Sequence, residues 1–172
     1  MSLPRILLKA KRARPFYGMH PWVYANAIES IEGEPRDGDV VDLVSDIGAF
    51  IARGFYNSQS KIRVRLYAWS ADTSLDADFF REQLDLAIQL RRDLLRLIGP
   101  GKACRLVFSE ADGLSGVTID QFDRWLIVQF TSLAMAQRRE MFADLLTELL
   151  HPEGIYLRTE RGIGQLEGLE LQ

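Results

Sequence analysis

The stretch Lys61-Ile62-Arg63-Val64-Arg65-Leu66-Tyr67 indicates most clearly how the first part of this chain folds. Its apolar residues Ile62, Val64 and Leu66 recur at every second position and share one face of an extended backbone. The opposite face carries Lys61, Arg63, Arg65 and Tyr67. A period of two predicts a half-buried β-strand, here with a cationic outer face.

The segments before this strand also predict β structure. Residues 40–44 follow a Gly-Asp turn, and residues 49–56 form a further apolar run. Gly54 interrupts that run, which predicts a bulge or a close approach of another backbone. Short strands at such close spacing favour a small β-barrel.

The apolar period changes after a polar connector at residues 70–74. Asp76 can cap a helix, and Asp78 in the first turn suits the positive end of the helix dipole. The segment from Phe79 to Ile98 is apolar apart from one polar stripe and a few further polar side chains, which predicts a broadly buried helix. Gly99-Pro100-Gly101 ends it.

The remainder predicts three strands, a helix and a further strand. The strands are expected at residues 105–108, 116–119, 125–130 and 154–158. The helix begins at a capping Ser132, buries Met135, Phe142, Leu145, Leu146 and Leu149, and ends at His151-Pro152. The tail from residue 161 resembles an unfinished hairpin. The chain therefore divides into residues 1–72 and residues 73–172.

Composition excludes several classes of protein. The 172 residues are 47% hydrophobic and 26% charged, as in an ordinary globular chain. No apolar run is long enough to cross a bilayer, and the N-terminus lacks the order of a signal peptide. The single Cys104 cannot form an internal disulfide or, by itself, a thiolate-rich zinc site. We therefore expect a cytoplasmic protein without a membrane partner.

Charge is distributed unevenly along the chain. The net charge is -3, but residues 1–70 carry ten Lys or Arg against seven Asp or Glu. Lys9, Lys11, Arg12 and Arg14 lie within six residues and precede several aromatic side chains. Cations neutralise phosphates and aromatic rings stack on unpaired bases, so this segment is a candidate RNA-binding site. The candidate RNA-binding residues are Lys9, Lys11, Arg12, Arg14, His20, Arg53, Lys61, Arg63 and Arg65.

A structural interpretation of the same residues stays open. The basic segment is then a solvated stretch, and the aromatic residues belong to the core. Trp22 and Tyr24 fit the core because they open the alternating run Trp22-Val23-Tyr24-Ala25. His20 precedes Pro21 and is typical of a turn.

Three other groups of residues are candidate chemical sites. Glu110, Asp112, Asp120 and Asp123 lie near one loop, and a small carboxylate-dependent hydrolase is one alternative. A tight turn whose carboxylates accept backbone N–H bonds is the simpler interpretation. Residues 162–168 lack the context of a nucleotide-binding fingerprint, and no His accompanies Cys104. The residues therefore indicate no catalytic residue, no metal ligand and no cofactor-binding residue.

Three separated motifs resemble one known family. They are Lys9-Ala10-Lys11-Arg12 leading to His20-Pro21-Trp22-Val23-Tyr24, then residues 52–65, then residues 110–120. Together they resemble the RlmI-like enzymes, which are S-adenosylmethionine-dependent methyltransferases of cytosine carbon 5 in large-subunit ribosomal RNA. The resemblance extends from about Leu7 to Glu170. Ser115 departs from it, because a proline usually follows Asp-Gly-Leu in that family.

The resemblance implies an α+β fold in two parts. The first is an N-terminal PUA-like β pseudobarrel that binds RNA, and the second is a helix followed by a β-β-α-β-β domain. The family's third part, a Rossmann-like domain with the S-adenosylmethionine site and the catalytic cysteines, is absent from this sequence. The chain is therefore expected to bind ribosomal RNA and to bind no cofactor itself. A stand-alone RNA- or ribosome-binding protein without enzymatic activity remains the alternative, and pairing into a homodimer stays open.

Overall fold

A computed structural model describes residues 3–158 and residues 167–168. The described chain divides into two compact units. Unit 1 comprises residues 3–75 together with Glu167 and Gly168, and unit 2 comprises residues 76–158. The domain boundary expected after residue 72 stays a prediction.

Unit 1 is a curled six-stranded sheet, as expected for a PUA-like pseudobarrel. Its elements are β1 (Arg5–Leu8), α1 (Arg14–Tyr17), β2 (Trp22–Tyr24), β3 (Ile28–Glu32), β4 (Val40–Val44), β5 (Phe50–Tyr56) and β6 (Ile62–Ala68). The strand order is β2-β6-β5-β4-β1-β3. Only the β1–β4 pair is parallel among these neighbours. Burial of one face explains why the strands hold their register.

The core of unit 1 follows the predicted alternation in β6. Val64 and Leu66 are buried, and they pack with Ile6, Leu8 and Val23 from the neighbouring strands. Burying a side chain of this size contributes about 1.5 to 3 kcal/mol. The hydrophobic effect therefore closes the sheet around one interior.

Gly54 meets a close backbone, as its place in the sequence predicts. A Cβ at this position would lie 2.1 Å from the carbonyl oxygen of Arg65. The pairing of β5 with β6 also shifts its register between Arg53 and Gly54. A glycine is required because no side chain fits where the two strands meet.

Two predictions about aromatic residues are wrong in opposite directions. Tyr67 was placed on the outer face, yet it is 6% exposed and its ring lies 5.3 Å from that of Phe55. Tyr24 was placed in the core, yet it is 43% exposed, and Trp22 is half-buried. The residues of β2 do alternate, but the buried one is Val23, whereas Trp22 and Tyr24 were expected to be buried.

Unit 2 combines a four-stranded sheet with helices. Its elements are α2 (Ala77–Gln89), β7 (Ala103–Phe108), β8 (Val117–Phe122), β9 (Trp125–Phe130), α3 (Leu133–Gln137), α4 (Arg139–Leu150) and β10 (Gly154–Arg158). The strand order is β10-β9-β8-β7, and β10 pairs with β9 in parallel across the helical connection. Phe142 of α4 joins the layers, because its ring lies 5.4 Å from Phe80 and 5.5 Å from Phe130.

The helix after residue 76 begins as predicted and ends differently. The Asp76 carboxylate accepts a hydrogen bond from the backbone N–H of Phe79 at 3.1 Å, which confirms the cap. The expectation of broad burial is wrong. Phe80 and Leu84 are buried, whereas Leu86 is 60% and Leu94 is 74% exposed. The chain continues past α2 as a π-helical turn over Leu90–Leu94, and none of the residues of this turn is buried.

The second predicted helix consists of two. Arg138 leaves helical geometry between α3 and α4. Ser132 holds the N-cap position, but its side chain makes no capping hydrogen bond. Burial of Met135, Phe142, Leu145 and Leu146 is confirmed, whereas Leu149 is half-buried. The end of α4 before His151-Pro152 is confirmed, and His151 adopts a left-handed conformation.

Two further predictions concern the ends of the chain and membranes. The tail hairpin and residues 162–166 lie outside the described residues, which include only Glu167 and Gly168 there. In residues 3–158 and 167–168, no helix has the length and apolarity that a bilayer span needs.

β3 was not predicted, because its residues are mostly exposed and carry little hydrophobic signal.

Candidate nucleic-acid interface

The basic segment is a turn that presents several cations to solvent. It connects β1 to α1, and the backbone N–H of Arg12 donates to the carbonyl oxygen of Lys9 at 3.1 Å. Lys11 occupies the left-handed region at φ 65°, which is unfavourable for a residue with a Cβ. Lys9, Lys11, Arg12 and Arg14 are all exposed. None of the four has an ion pair with any described residue.

The helix that follows anchors this turn to the core. Phe16 is 4% exposed and packs in the interior of unit 1. The indole N–H of Trp69 donates to the Phe16 carbonyl oxygen at 2.8 Å. A turn fixed in this way can hold its charged side chains on one part of the surface with little further loss of entropy on binding.

Aromatic and apolar side chains lie beside the cations. Tyr17 and Met19 are each 61% exposed, directly after the buried Phe16. His20 is exposed, and its Nδ1 accepts the backbone N–H of Trp22 at 3.2 Å. This bond confirms the turn role of His20 and places the proton of a neutral ring on Nε2. Tyrosine and imidazole rings provide stacking surfaces for unpaired bases.

Three predicted RNA-binding arginines make bonds inside unit 1. Arg53 donates to both carboxylate oxygens of Asp42, at 2.8 and 3.3 Å, and to the Thr73 carbonyl oxygen at 2.6 Å. Arg63 donates to the carbonyl oxygens of the loop before β6. Arg65 pairs with Glu167 at 3.1 Å and lies 5.9 Å from the centre of the Trp22 ring. Their role in binding RNA stays a prediction.

Lys61 is exposed, but the strand directions separate it from the basic segment. The last residues of β1 and β4 lie side by side at one end of the sheet. The first residues of β5 and the last residues of β6 lie at the same end. The segment after Leu8 therefore leaves the sheet near Ala68, whereas Lys61 precedes the first residue of β6. A strand of this length spans about 20 Å at ~3.3 Å per residue. The nine predicted residues are therefore not one continuous patch.

The sequence did not reveal a polar cluster around Glu167. Its carboxylate accepts from Ser60 Oγ at 2.7 Å, Arg65 Nη2 at 3.1 Å and Asn57 Nδ2 at 3.3 Å. More than a hundred residues separate Glu167 from these partners, so no local pattern signals the contact. Asn57 and Ser60 do lie within the second motif that carries the family resemblance.

The carboxylates of the loop in unit 2 bind separate partners. Asp112 accepts from both terminal nitrogens of Arg91, at 2.6 and 2.9 Å, and from the Phe108 backbone N–H at 2.6 Å. Glu110 accepts from Ser115 Oγ at 2.7 Å. Asp120 pairs with Arg105 at 2.8 Å, and this bond raises the pKa of the Arg105 guanidinium. The tight-turn interpretation of Asp112 is confirmed.

Cys104 lies on β7, which is an edge strand of the sheet, and is partly buried. Burial raises the pKa of its thiol, so the thiolate is disfavoured. In residues 3–158 and 167–168, no three His, Cys, Asp or Glu side chains gather as a metal site would need. A cavity of about 250 Å³ in unit 2 is lined mainly by apolar side chains such as Val128, Phe130 and Leu146. Its charged lining residues are Arg139 and Glu140.

Comparison with known proteins supports the description of unit 1 as a PUA-like fold. Residues 6–69 match a family described as a PUA-like domain. The match covers all six strands of the curled sheet except the first residue of β1. The fold and the match together define unit 1 as a PUA-like domain.

Curated relatives extend over nearly the whole chain. The ribosomal RNA large subunit methyltransferase I of Alteromonas mediterranea is 37% identical over 168 residues, which is 96% of this chain and 42% of the relative. The proteins of the same name from Erwinia tasmaniensis and Klebsiella pneumoniae are 35% and 33% identical. They also align over 42% of their own length. The chain therefore spans about two fifths of the relatives that it matches.

Two solved structures share the fold. One is a protein from Streptococcus mutans assigned as a SAM-dependent methyltransferase, with a TM-score of 0.75, 17% identity, and coverage of 90% of this chain and 40% of that one. The other, assigned as a methyltransferase and complexed with SAH, has a TM-score of 0.77, 17% identity, and coverage of 92% and 41%. The chain is therefore similar over nearly its whole length to the N-terminal portion, PUA-like plus central domain, of RlmI-like rRNA methyltransferases.

Proposed function

We propose that this chain binds ribosomal RNA and presents it to a methyltransferase domain of the kind that the curated relatives carry beyond the aligned region. Residues 1–72 are the RNA-binding domain, and residues 73–172 are the central domain. The observation that supports the proposal most is the exposed turn with Lys9, Lys11 and Arg12, followed by Arg14, on a PUA-like unit.

The turn suits the phosphate backbone of RNA. Three of its four cations lie within four residues and are exposed, so one stretch of backbone can contact them together. Phosphate contacts fix the register and orientation of a nucleic acid, whereas base contacts specify its sequence. Tyr17 and His20 lie next to the cations and can stack on unpaired bases. This surface therefore favours a structured RNA with an accessible loop.

In this proposal, the residues that carry out methyl transfer lie outside these 172 residues. The relatives are named as large-subunit ribosomal RNA methyltransferases, and one structure of the same fold holds SAH. We infer that S-adenosylmethionine binds outside these 172 residues and that the target is carbon 5 of a cytosine. An enzyme that acts on a base must take it out of the stack, so a separate RNA-gripping domain serves to position the strand. Pairing of two copies stays a prediction.

The salt dependence of binding tests this proposal. Replacing Lys9, Lys11, Arg12 and Arg14 together by Gln removes the cations that we expect to contact phosphates. The slope of log K against log salt should flatten by about three to four, because each lost contact contributes ~0.7 to 0.9. The measurement is fluorescence anisotropy of a labelled ribosomal RNA fragment at several salt concentrations.

A charge-matched variant controls for net charge. Arg92, Arg96, Lys102 and Arg124 are exposed cations of unit 2, and their joint replacement by Gln changes the net charge equally. This variant should keep the wild-type slope within about one. If the two variants flatten the slope by the same amount, binding does not depend on the basic turn and the proposed interface is wrong.

A further inference from the structure

Glu167 occupies a polar socket in unit 1, formed by Asn57, Ser60 and Arg65. The two side chains Asn57 and Ser60 are 6% and 3% exposed, and Glu167 itself is 7% exposed. Besides the three bonds to the carboxylate, Asn57 Nδ2 donates to the Glu167 carbonyl oxygen at 3.0 Å. The socket therefore holds both the side chain and the backbone of this residue.

The neutral donors of the socket are oriented by local bonds. The Gln59 backbone N–H donates to Asn57 Oδ1 at 2.9 Å, which turns Nδ2 towards Glu167. The Ile62 backbone N–H donates to Ser60 Oγ at 3.1 Å, so the hydroxyl hydrogen is left to bond with Glu167 Oε1. Gln59 of the loop before β6 and Ile62, the first residue of β6, therefore fix the two donors, and the socket needs little rearrangement to receive a carboxylate.

The charge of the socket matches its occupant. The side chains of Arg65 and Glu167 are 11% and 9% exposed, so most water is excluded from their ion pair. A hydrogen bond to a charged group is stronger than one between neutral groups, and a buried charge that loses its partner is costly. Glu167 is thus held by four hydrogen bonds, three of which end on its carboxylate.

Glu167 and Gly168 belong to unit 1 although they are far from residues 3–75 in the sequence. The chain leaves unit 1 at residue 75, builds unit 2, and contacts unit 1 again at Glu167 and Gly168. Gly168 lies against the side chain of Gln59, and its φ of 69° turns the backbone there. Residues 76–158 of unit 2 therefore lie, in the sequence, between two segments that both belong to unit 1.

We propose that the socket of Asn57, Ser60 and Arg65 is a latch for Glu167, and that Glu167 is a positioning residue for methyl transfer. In a protein of the relatives' full length, the polypeptide that follows Gly168 then starts from the RNA-binding unit. The inference rests on the proposed function. The RNA and the Glu167-Gly168 segment are then held by the same unit, so fewer orientations of the catalytic domain need to be searched before reaction.

The first test uses this chain alone and needs no RNA. Glu167→Ala removes the carboxylate, and amide hydrogen exchange at residues 57–62 should accelerate about tenfold because the loop loses its charged partner. Glu148→Ala is the control, since Glu148 is an exposed glutamate that pairs with Arg81 in unit 2. Ser60→Ala keeps the test decisive if Glu167→Ala does not fold. Unchanged exchange in both socket variants would overturn the latch.

The second test separates positioning from binding in a protein of full length. Glu167→Ala should lower kcat for methyl transfer about tenfold or more while the Kd for RNA stays within twofold. An unchanged kcat would overturn the positioning role. A tighter Kd with a salt slope steeper by about one would also overturn it, because Arg65 would then bind a phosphate that Glu167 excludes. If the wild-type chain does not bind RNA, the proposed function is wrong. The hydrogen-exchange test of the latch does not depend on RNA and still applies.

Discussion

Lys11 combines an unfavourable conformation with a favourable position for binding. Its φ of 65° lies in the region that glycine adopts without cost, yet the residue is an exposed lysine. A non-glycine residue held in this region costs of order 1 kcal/mol, and such residues concentrate at functional sites. The turn at residues 9–12 therefore holds an exposed charge in a backbone conformation that lowers stability.

Lys11→Gly should change stability and binding in opposite directions. We expect the free energy of unfolding to rise by about 0.5 kcal/mol, because relief of the left-handed backbone outweighs the added freedom of the unfolded chain. Binding to RNA should weaken, and the salt slope should flatten by about one. Urea unfolding and anisotropy titrations measure the two effects.

The neighbouring residue provides the control for Lys11→Gly. Ala10 is exposed, uncharged and outside the left-handed region. Ala10→Gly should lower stability by about 0.5 kcal/mol and leave the salt slope unchanged. A stabilised Lys11→Gly variant that binds RNA as tightly as the wild type would show that the strained turn serves no purpose in binding.

Pairing of β5 with β6 depends on the absence of a side chain at Gly54. Gly54→Ala would bring a Cβ to 2.1 Å from the Arg65 carbonyl oxygen, and a strand backbone in the middle of a sheet has little room to move. We expect a loss of about 3 kcal/mol in the free energy of unfolding, at the upper end for an overpacked interior. Urea unfolding followed by circular dichroism measures it.

Gly99 offers the matching control for the strand contact. A Cβ at Gly99 would lie 3.6 Å from the side chain of Lys102, an ordinary van der Waals distance. Gly99→Ala should therefore change stability by no more than about 0.5 kcal/mol. Equal effects of the two substitutions would contradict the close approach of β5 and β6.

At the scale of the whole molecule, unit 1 is completed by residues distant in the sequence. A chain that ends at residue 165 lacks Glu167, and we expect unit 1 to lose about 1 to 2 kcal/mol with a fall in Tm of roughly 4 °C or more. Fluorescence of Trp22 and Trp69 in a Trp125→Phe background reports on unit 1 alone. A chain that ends at residue 168 is the control and should retain the wild-type Tm. Equal values of Tm for the two chains would show that Glu167 does not stabilise unit 1.

The sequence by itself determined the local elements and the resemblance to a family. Alternation defined β6, because a strand buried on one face must repeat every two residues, and apolar runs with neighbouring turn signals indicated β4, β5 and β9. Asp76 and the His151-Pro152 pair marked helix ends through local hydrogen bonding and sterics. The basic turn was also visible, since four cations in six residues need no fold to be recognised.

Only the tertiary structure decided which face of each element is covered and which charges meet. Trp22-Val23-Tyr24 alternates equally well in either phase, and the neighbouring strands choose Val23 for the core. The sequence alone predicted that Arg65 is a surface cation, whereas in the fold it pairs with Glu167. Burial and ion pairing are set by residues far apart in the sequence, so their physical cause lies in the packing of the folded chain and in no local pattern.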